Sequence, residues 1–282
     1  MASKEPTIVF ITYFISVYVG YFNVINGLIG NIINILVFTQ LKLFQRNQSA
    51  FYLTVASIVD SCQLIFAIAT RITVTAFGFD LTRTSLIWCK LRAYLVRSTR
   101  IISIATICLA AIDQYLSTNY HVQLRQMSTF KSAQFLISIL IIFSFLYCIP
   151  FLIFHETRRY SNCAIFHRTF NYFYSFAHYF MLLGILPIFI SSLFSLLAYR
   201  NVRRIIRRQM AIVRRRLDRQ LTAMILLRVA LFVITTLPYI SFRIYQINTS
   251  VSHNHTDAVG IMGLINVILI TIYNIDYSVF KY

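Results

Sequence analysis

One apolar segment, from Trp88 to Tyr115, carries different chemistry at its two ends: Trp88-Cys89 at the start and Asp113-Gln114-Tyr115 at the close. Cys89 and Asp113 are 24 positions apart, and at about 1.5 Å per helical residue this is roughly 36 Å, slightly more than the hydrocarbon core of a bilayer. A thiol and a carboxylate therefore end on opposite sides of a membrane. Arg92, Arg97, Arg100, Ser103 and Thr106 lie between them. Lipid-facing charge is strongly unfavourable, so this helix belongs inside a bundle of other helices, as its central pillar.

The rest of the chain supplies that bundle. Of its 282 residues 58% are hydrophobic, well above the level of a soluble domain, and the length suits seven spans with little left for any soluble domain. The spans are expected at about 8–38, 50–77, 86–117, 131–154, 171–199, 218–247 and 258–282, after a short outer segment 1–7. The fold expected is all-α, a seven-transmembrane bundle with an extracellular amino terminus in the plasma membrane. The last span stops at Tyr282 without a polar continuation, which reads as a truncated carboxyl terminus.

A net charge of +18 raises the question of nucleic acid, but the basic residues crowd into short loops: Lys42 and Arg46, Arg125 and Lys131, and the run from Arg200 to Arg219. The positive-inside rule makes these loops cytoplasmic and leaves nucleic acid out as a partner; lipid is the surface such a run touches. The loop after the sixth span holds Asn248-Thr-Ser and Asn254-His-Thr, two glycan acceptor patterns, and no Lys or Arg. It belongs outside. No Cys/His spacing suits a metal, and no Ser/His/Asp set or phosphate loop suggests an enzyme.

Within the spans, ionisable and polar residues are functional candidates by default. Arg71, Arg97, Arg100 and Arg243 fall in the outer halves of their spans, with Arg97 and Arg100 three apart on one helix face. Guanidinium groups at that depth want carboxylate, phosphate or carbonyl oxygens, so they form either a cationic ligand pocket or pairs with Asp80, Glu156 and backbone carbonyls. Asp276 and Arg228, also within spans, are a second candidate pair.

Taken together, these marks resemble the rhodopsin-like (class A) G-protein-coupled receptors, in overall flavour closest to invertebrate FMRFamide-type neuropeptide receptors. Gly30-Asn31 stands in the first span, Asp60 in the second, the Cys89 to Asp113 offset in the third, and Pro187 and Pro238 in the fifth and sixth. The resemblance implies a Cys89–Cys163 bridge, the alternative being two free thiols, with Cys62, Cys108 and Cys148 reduced. It implies a mid-depth polar network of Asn31, Asp60, Ser103, Asn274 and Ser278, which in the family commonly holds an allosteric sodium ion, the only cofactor or metal expected. It implies an activation connector of Ile104, Pro187, Phe232 and Pro238, and a G-protein-facing end of Asp113, Gln114, Tyr115, Asp218 and Tyr282. The position that holds a counter-ion carboxylate in amine receptors is Val96, so Val96 joins the arginines in the expected ligand pocket and an amine ligand is disfavoured. Retinal is disfavoured too, because Lys281 lies at the inner end of the seventh span.

Three departures matter. Gln114 replaces the arginine of the third-span signature, Thr236 stands where the sixth-span Trp is usual, and the seventh-span motif retains only Tyr282. With Gln114 the charged lock to Asp218 cannot form, which predicts raised basal activity or inefficient coupling. The function implied is transduction of an extracellular ligand, a peptide by preference, to a heterotrimeric G protein. The alternatives are a non-peptide chemosensory or weakly coupling receptor and, less favoured, a transporter or channel, which would show repeats or an acid chain.

Overall fold

The computed structural model describes residues 4–41, 47–158, 161–205, 212–248 and 256–278. Among these, six helices are long and apolar enough to cross a membrane: α1 (Thr7–Gln40), α2 (Gln48–Phe77), α3 (Leu86–Ser117), α4 (Phe130–Phe154), α5 (Arg168–Arg203) and α6 (Arg219–Gln246). A shorter apolar helix, α7 (Thr256–Ile275), completes an all-α bundle of seven.

The pillar reading of α3 holds. Its most apolar stretch is 61% buried, against 22% for that of α1 or α4. Small and hydroxylic side chains, among them Ala93, Ser98, Ser103, Ala110 and Ala111, let neighbours close on it. The hydroxyls return their hydrogens to carbonyls one turn back, as in Thr106 Oγ1 to Ile102 O at 2.6 Å, which allows polar residues inside an apolar bundle. Ile104, Ile107, Phe151, Phe232, Tyr273 and Tyr277 belong to one continuous core.

Local signals set the helix ends. The side chains of Asn47, Ser85 and Thr129 accept from the first-turn amides of α2, α3 and α4. Gly78 ends α2 in the left-handed region with φ of 68°. Wider π-helical turns interrupt α1 at Ile15–Val19, α2 at Leu64–Ala69 and α5 at Tyr174–Ile185. In α2 the displaced carbonyls are answered from α3: Arg92 donates to Phe66 O at 3.3 Å, Ala67 O at 3.3 Å and Thr70 Oγ1 at 2.8 Å. That arginine is a structural clasp.

The segment after α4 contains a two-stranded antiparallel hairpin, β1 (His155–Arg158) and β2 (Ser161–Ile165). Pairing satisfies backbone groups that a bare loop would leave to water. Cys163 on β2 bonds to Cys89 in the first turn of α3, with Cα atoms 5.8 Å apart. The bridge fastens the hairpin to the pillar across 74 residues of chain. Cys62, Cys108 and Cys148 are free.

Candidate ligand site

Three arginines converge at the hairpin end of the bundle. Arg97 donates from Nη1 to Ala93 O at 2.9 Å and from Nη2 to Tyr174 Oη at 2.9 Å. Its guanidinium lies 4.9 Å from the Phe151 ring centre and 5.1 Å from that of Tyr174. Arg100, one turn deeper, faces Tyr273 at 5.1 Å and Tyr239 at 5.9 Å. With the Gln63 amide turned to satisfy both of its ends, Arg100 Nη2 donates to Gln63 at 3.2 Å and the amide nitrogen donates to Val96 O at 3.1 Å. Arg243 on α6 donates to Gln246 Oε1 at 3.1 Å and interacts with Tyr179. Arg71, half-buried on α2, is within electrostatic range of Arg243 and Tyr239.

No carboxylate among the described residues pairs with Arg97, Arg100 or Arg243, and the Nε of each is buried without a partner. Rings over a guanidinium contribute about 0.5–2 kcal/mol each, whereas desolvating an ion costs several kcal/mol. The aromatic cage therefore only partly offsets the partial burial of these charges. Val96 enters this region through its backbone carbonyl.

The rings themselves are the part that sequence reading missed. Tyr174 and Tyr179 meet through their hydroxyls at 3.0 Å, and Tyr239 stacks on Tyr273 with centres 4.4 Å apart. Tyr273 near the end of α7 and Tyr277 in the turn that follows it share a hydroxyl contact of 2.9 Å. From Tyr277 the path runs on, because Asn31 Nδ2 donates to its carbonyl at 3.1 Å. The signal available in sequence was the four-residue spacing of Tyr273 and Tyr277 on a helix face.

At mid-depth Asp60 is fully buried, and its two oxygens have different partners. Ser103 Oγ donates to Oδ1 at 2.6 Å, and Arg228 Nη2 lies 2.8 Å from Oδ2. Asp60 and Ser103 thus meet as expected of the network, but Arg228 pairs with Asp60 where Asp276 was the expected partner. Asp276 is buried within electrostatic range of the same guanidinium. Asn31 is engaged with Tyr277, and Ser278 Oγ with the carbonyls of Asn23 at 3.0 Å and Asn274 at 3.3 Å; Asn274 is buried.

Nearer the other end, Ile104 and Phe232 are buried in the core. Pro187 is buried as well, its carbonyl accepting from Ser191 Oγ at 2.6 Å, while Pro238 lies exposed within α6. Gln114 joins three helices: its Nε2 donates to Thr222 Oγ1 at 2.6 Å and its Oε1 accepts from Ser49 Oγ at 2.8 Å. Asp113 accepts from Ser128 Oγ at 2.7 Å, and Tyr115 packs on Phe194 with ring centres 5.5 Å apart. Thr222, one helical turn beyond Asp218, is thus a partner of Gln114. The Asp218 and Asn248 side chains, Asn254 and Tyr282 lie outside the described residues.

His155, on the hairpin, is the one titratable group outside the spans, among the described residues, whose proton affinity shifts strongly. It is buried and beside Arg97 and Lys90, and these push its pKa down to about 3, against the opposing pull of a hydrogen bond from Nδ1 to Phe151 O at 2.9 Å. It stays neutral under a cationic field.

The family model for the 7 transmembrane receptor (rhodopsin family) matches residues 30–274 of this chain. No curated protein matches it.

Proposed function

Because this chain belongs to the rhodopsin family of seven-transmembrane receptors, multi-pass plasma-membrane proteins that signal to G proteins and are not enzymes, we propose that its extracellular ligand is a peptide that docks a carboxylate among Arg97, Arg100 and Arg243. The amino terminus and the hairpin would face outward, and the arginine-rich segment inward. The observation that carries this reading is three half-buried arginines, each with a buried Nε that has no partner, and no carboxylate paired with them among the described residues. An arriving carboxylate supplies what the rings cannot, a full negative charge with two acceptor oxygens. An amidated peptide of the FMRFamide type would offer only carbonyl oxygen, which suits the site less well.

Docking there would displace Arg100 from the Tyr239–Tyr273 stack and so act on α6 and α7 together. The inner tie of Gln114 to Thr222 is a neutral hydrogen bond, and this favours a second reading, a receptor with high basal or weak ligand-driven coupling. A library of peptides, each as free acid and as amide, screened with a promiscuous G-protein reporter tests both. The expected outcome is response to free acids alone. Equal potency of the amides would remove the carboxylate from the pocket, and a high signal without peptide would favour the second reading.

A further inference from the structure

The receptor family commonly places a sodium ion beside the second-span carboxylate, so the residues around Asp60 can be tested for that role. They do not fit it. A sodium ion there needs a carboxylate oxygen free to face it and a shell of further oxygens. Here Oδ1 accepts from Ser103 and Oδ2 is held by the Arg228 guanidinium, at 2.6 Å and 2.8 Å. A fixed positive charge in direct contact with the carboxylate takes the place of the ion and repels any second cation. Other oxygens expected to complete a shell are turned elsewhere, with Ser278 donating to Asn23 and Asn274 carbonyls.

The position of Arg228 adds a mechanical consequence. It stands on α6 and Asp60 on α2, with 0% of the acid side chain and 8% of the base exposed. Water does not screen the pair, and the rest of the guanidinium, Nε and Nη1, has no hydrogen-bond partner among the described residues. Removing either charge leaves the other buried. At the inner end, by contrast, the Gln114 to Thr222 tie to α6 is neutral. Among the described residues the charged hold on α6 is therefore the one at mid-depth.

We infer that Arg228 is a built-in cation that closes the Asp60 site to sodium and clamps α6 to α2. The bundle is then blind to external sodium, and opening of its inner end requires this ion pair to separate.

Thermal unfolding of the purified receptor in lipid nanodiscs tests both halves, in sodium chloride and in choline chloride of equal ionic strength. The wild type should unfold at the same temperature in the two salts. Arg228→Met should unfold roughly 5–15 °C lower in choline, since it leaves a buried carboxylate without its counter-charge, and should recover roughly 2–4 °C of this in sodium. Asp60→Asn combined with Arg228→Met should regain most of the loss and lose the response to sodium. A wild-type midpoint that rises in sodium would overturn the closed site. An Arg228→Met midpoint in choline equal to the wild type would overturn the clamp. If Arg228→Met does not fold, the wild-type comparison still decides the first point, and Arg228→Lys, which retains the charge but loses the planar fork, decides the second by unfolding below the wild type and remaining blind to sodium.

Discussion

Two arginine environments inside this bundle differ in one respect that separates their roles. At mid-depth Arg228 meets a carboxylate at 2.8 Å, and its charge is balanced from within the chain. At the outer end Arg97, Arg100 and Arg243 meet rings, hydroxyls and carbonyls, and their charge is not. Arg228 is also the more deeply buried, the outer three being half-buried. A charge answered internally holds the folded state together, whereas one left unanswered is a place for something else to bind.

The largest effect expected from this contrast is a pair of opposite failures. Arg100→Ala should lower the response to an active free-acid peptide by more than about 100-fold while surface expression stays intact, since the mutation relieves an unbalanced charge and removes a ligand contact. Arg228→Ala should instead deplete the protein from the cell surface, because Asp60 then remains buried without its counter-charge. Measuring surface level and response together for both variants checks this. If Arg100→Ala were the one lost from the surface, the contrast would fail.

The edge of the outer cluster also touches His155, whose pKa is pushed down to about 3 by burial first and then by Arg97 and Lys90. The unfolded chain takes up this proton near pH 6.5 while the folded chain does not, so the contribution to stability is complete above pH 6.5 and falls as the pH drops toward 3. At pH 5 the loss should be about 2 kcal/mol. His155→Phe should flatten the stability–pH profile in that window, and a bound carboxylate should narrow the loss. A profile unchanged by the substitution would show that His155 is not held neutral in the fold.

Next in size is the distinction between charge and fork. Arg97 uses two nitrogens at once, toward Ala93 and Tyr174. Arg97→Lys retains the charge but cannot span both, and potency should fall about 10-fold with little change in expression. Arg92→Lys should lower thermal stability without affecting potency, because Arg92 closes carbonyls of α2.

Sequence alone could not have separated Arg92 from Arg97 and Arg100, and the reason is physical. All three are arginines in one span, and what divides them is a π-helical turn in α2, Leu64–Ala69, that displaces carbonyls toward the first and not the others. Apolar periodicity carries no record of such a turn. The bundle, the central α3 and the Cys89–Cys163 bridge were legible, because span length, buried polarity and cysteine placement act over whole helices. The partner of Asp60 was not, since Arg228 is 168 residues away on a different helix and only packing selects it over Asp276. The tyrosine cage was missed for a similar reason: Tyr174, Tyr239 and Tyr273 come from three helices and mean little until these converge.

The smallest expected effect concerns the inner end, where α6 is tied to α3 by hydrogen bonds without charge. Thr222→Val removes the hydroxyl that accepts from Gln114 at 2.6 Å while preserving its shape. A neutral hydrogen bond contributes about 0.5–1.5 kcal/mol, so basal nucleotide exchange should rise roughly 2–10-fold. Gln114→Arg offers the complementary change, because a guanidinium there would sit beside Asp113, itself held by Ser128 and Ser49. Charge-assisted contacts are about twice as strong, and basal exchange should fall below the wild type. If neither substitution moves the basal rate, the inner tie does not limit opening, and the hold on α6 lies with the ion pair at the membrane centre.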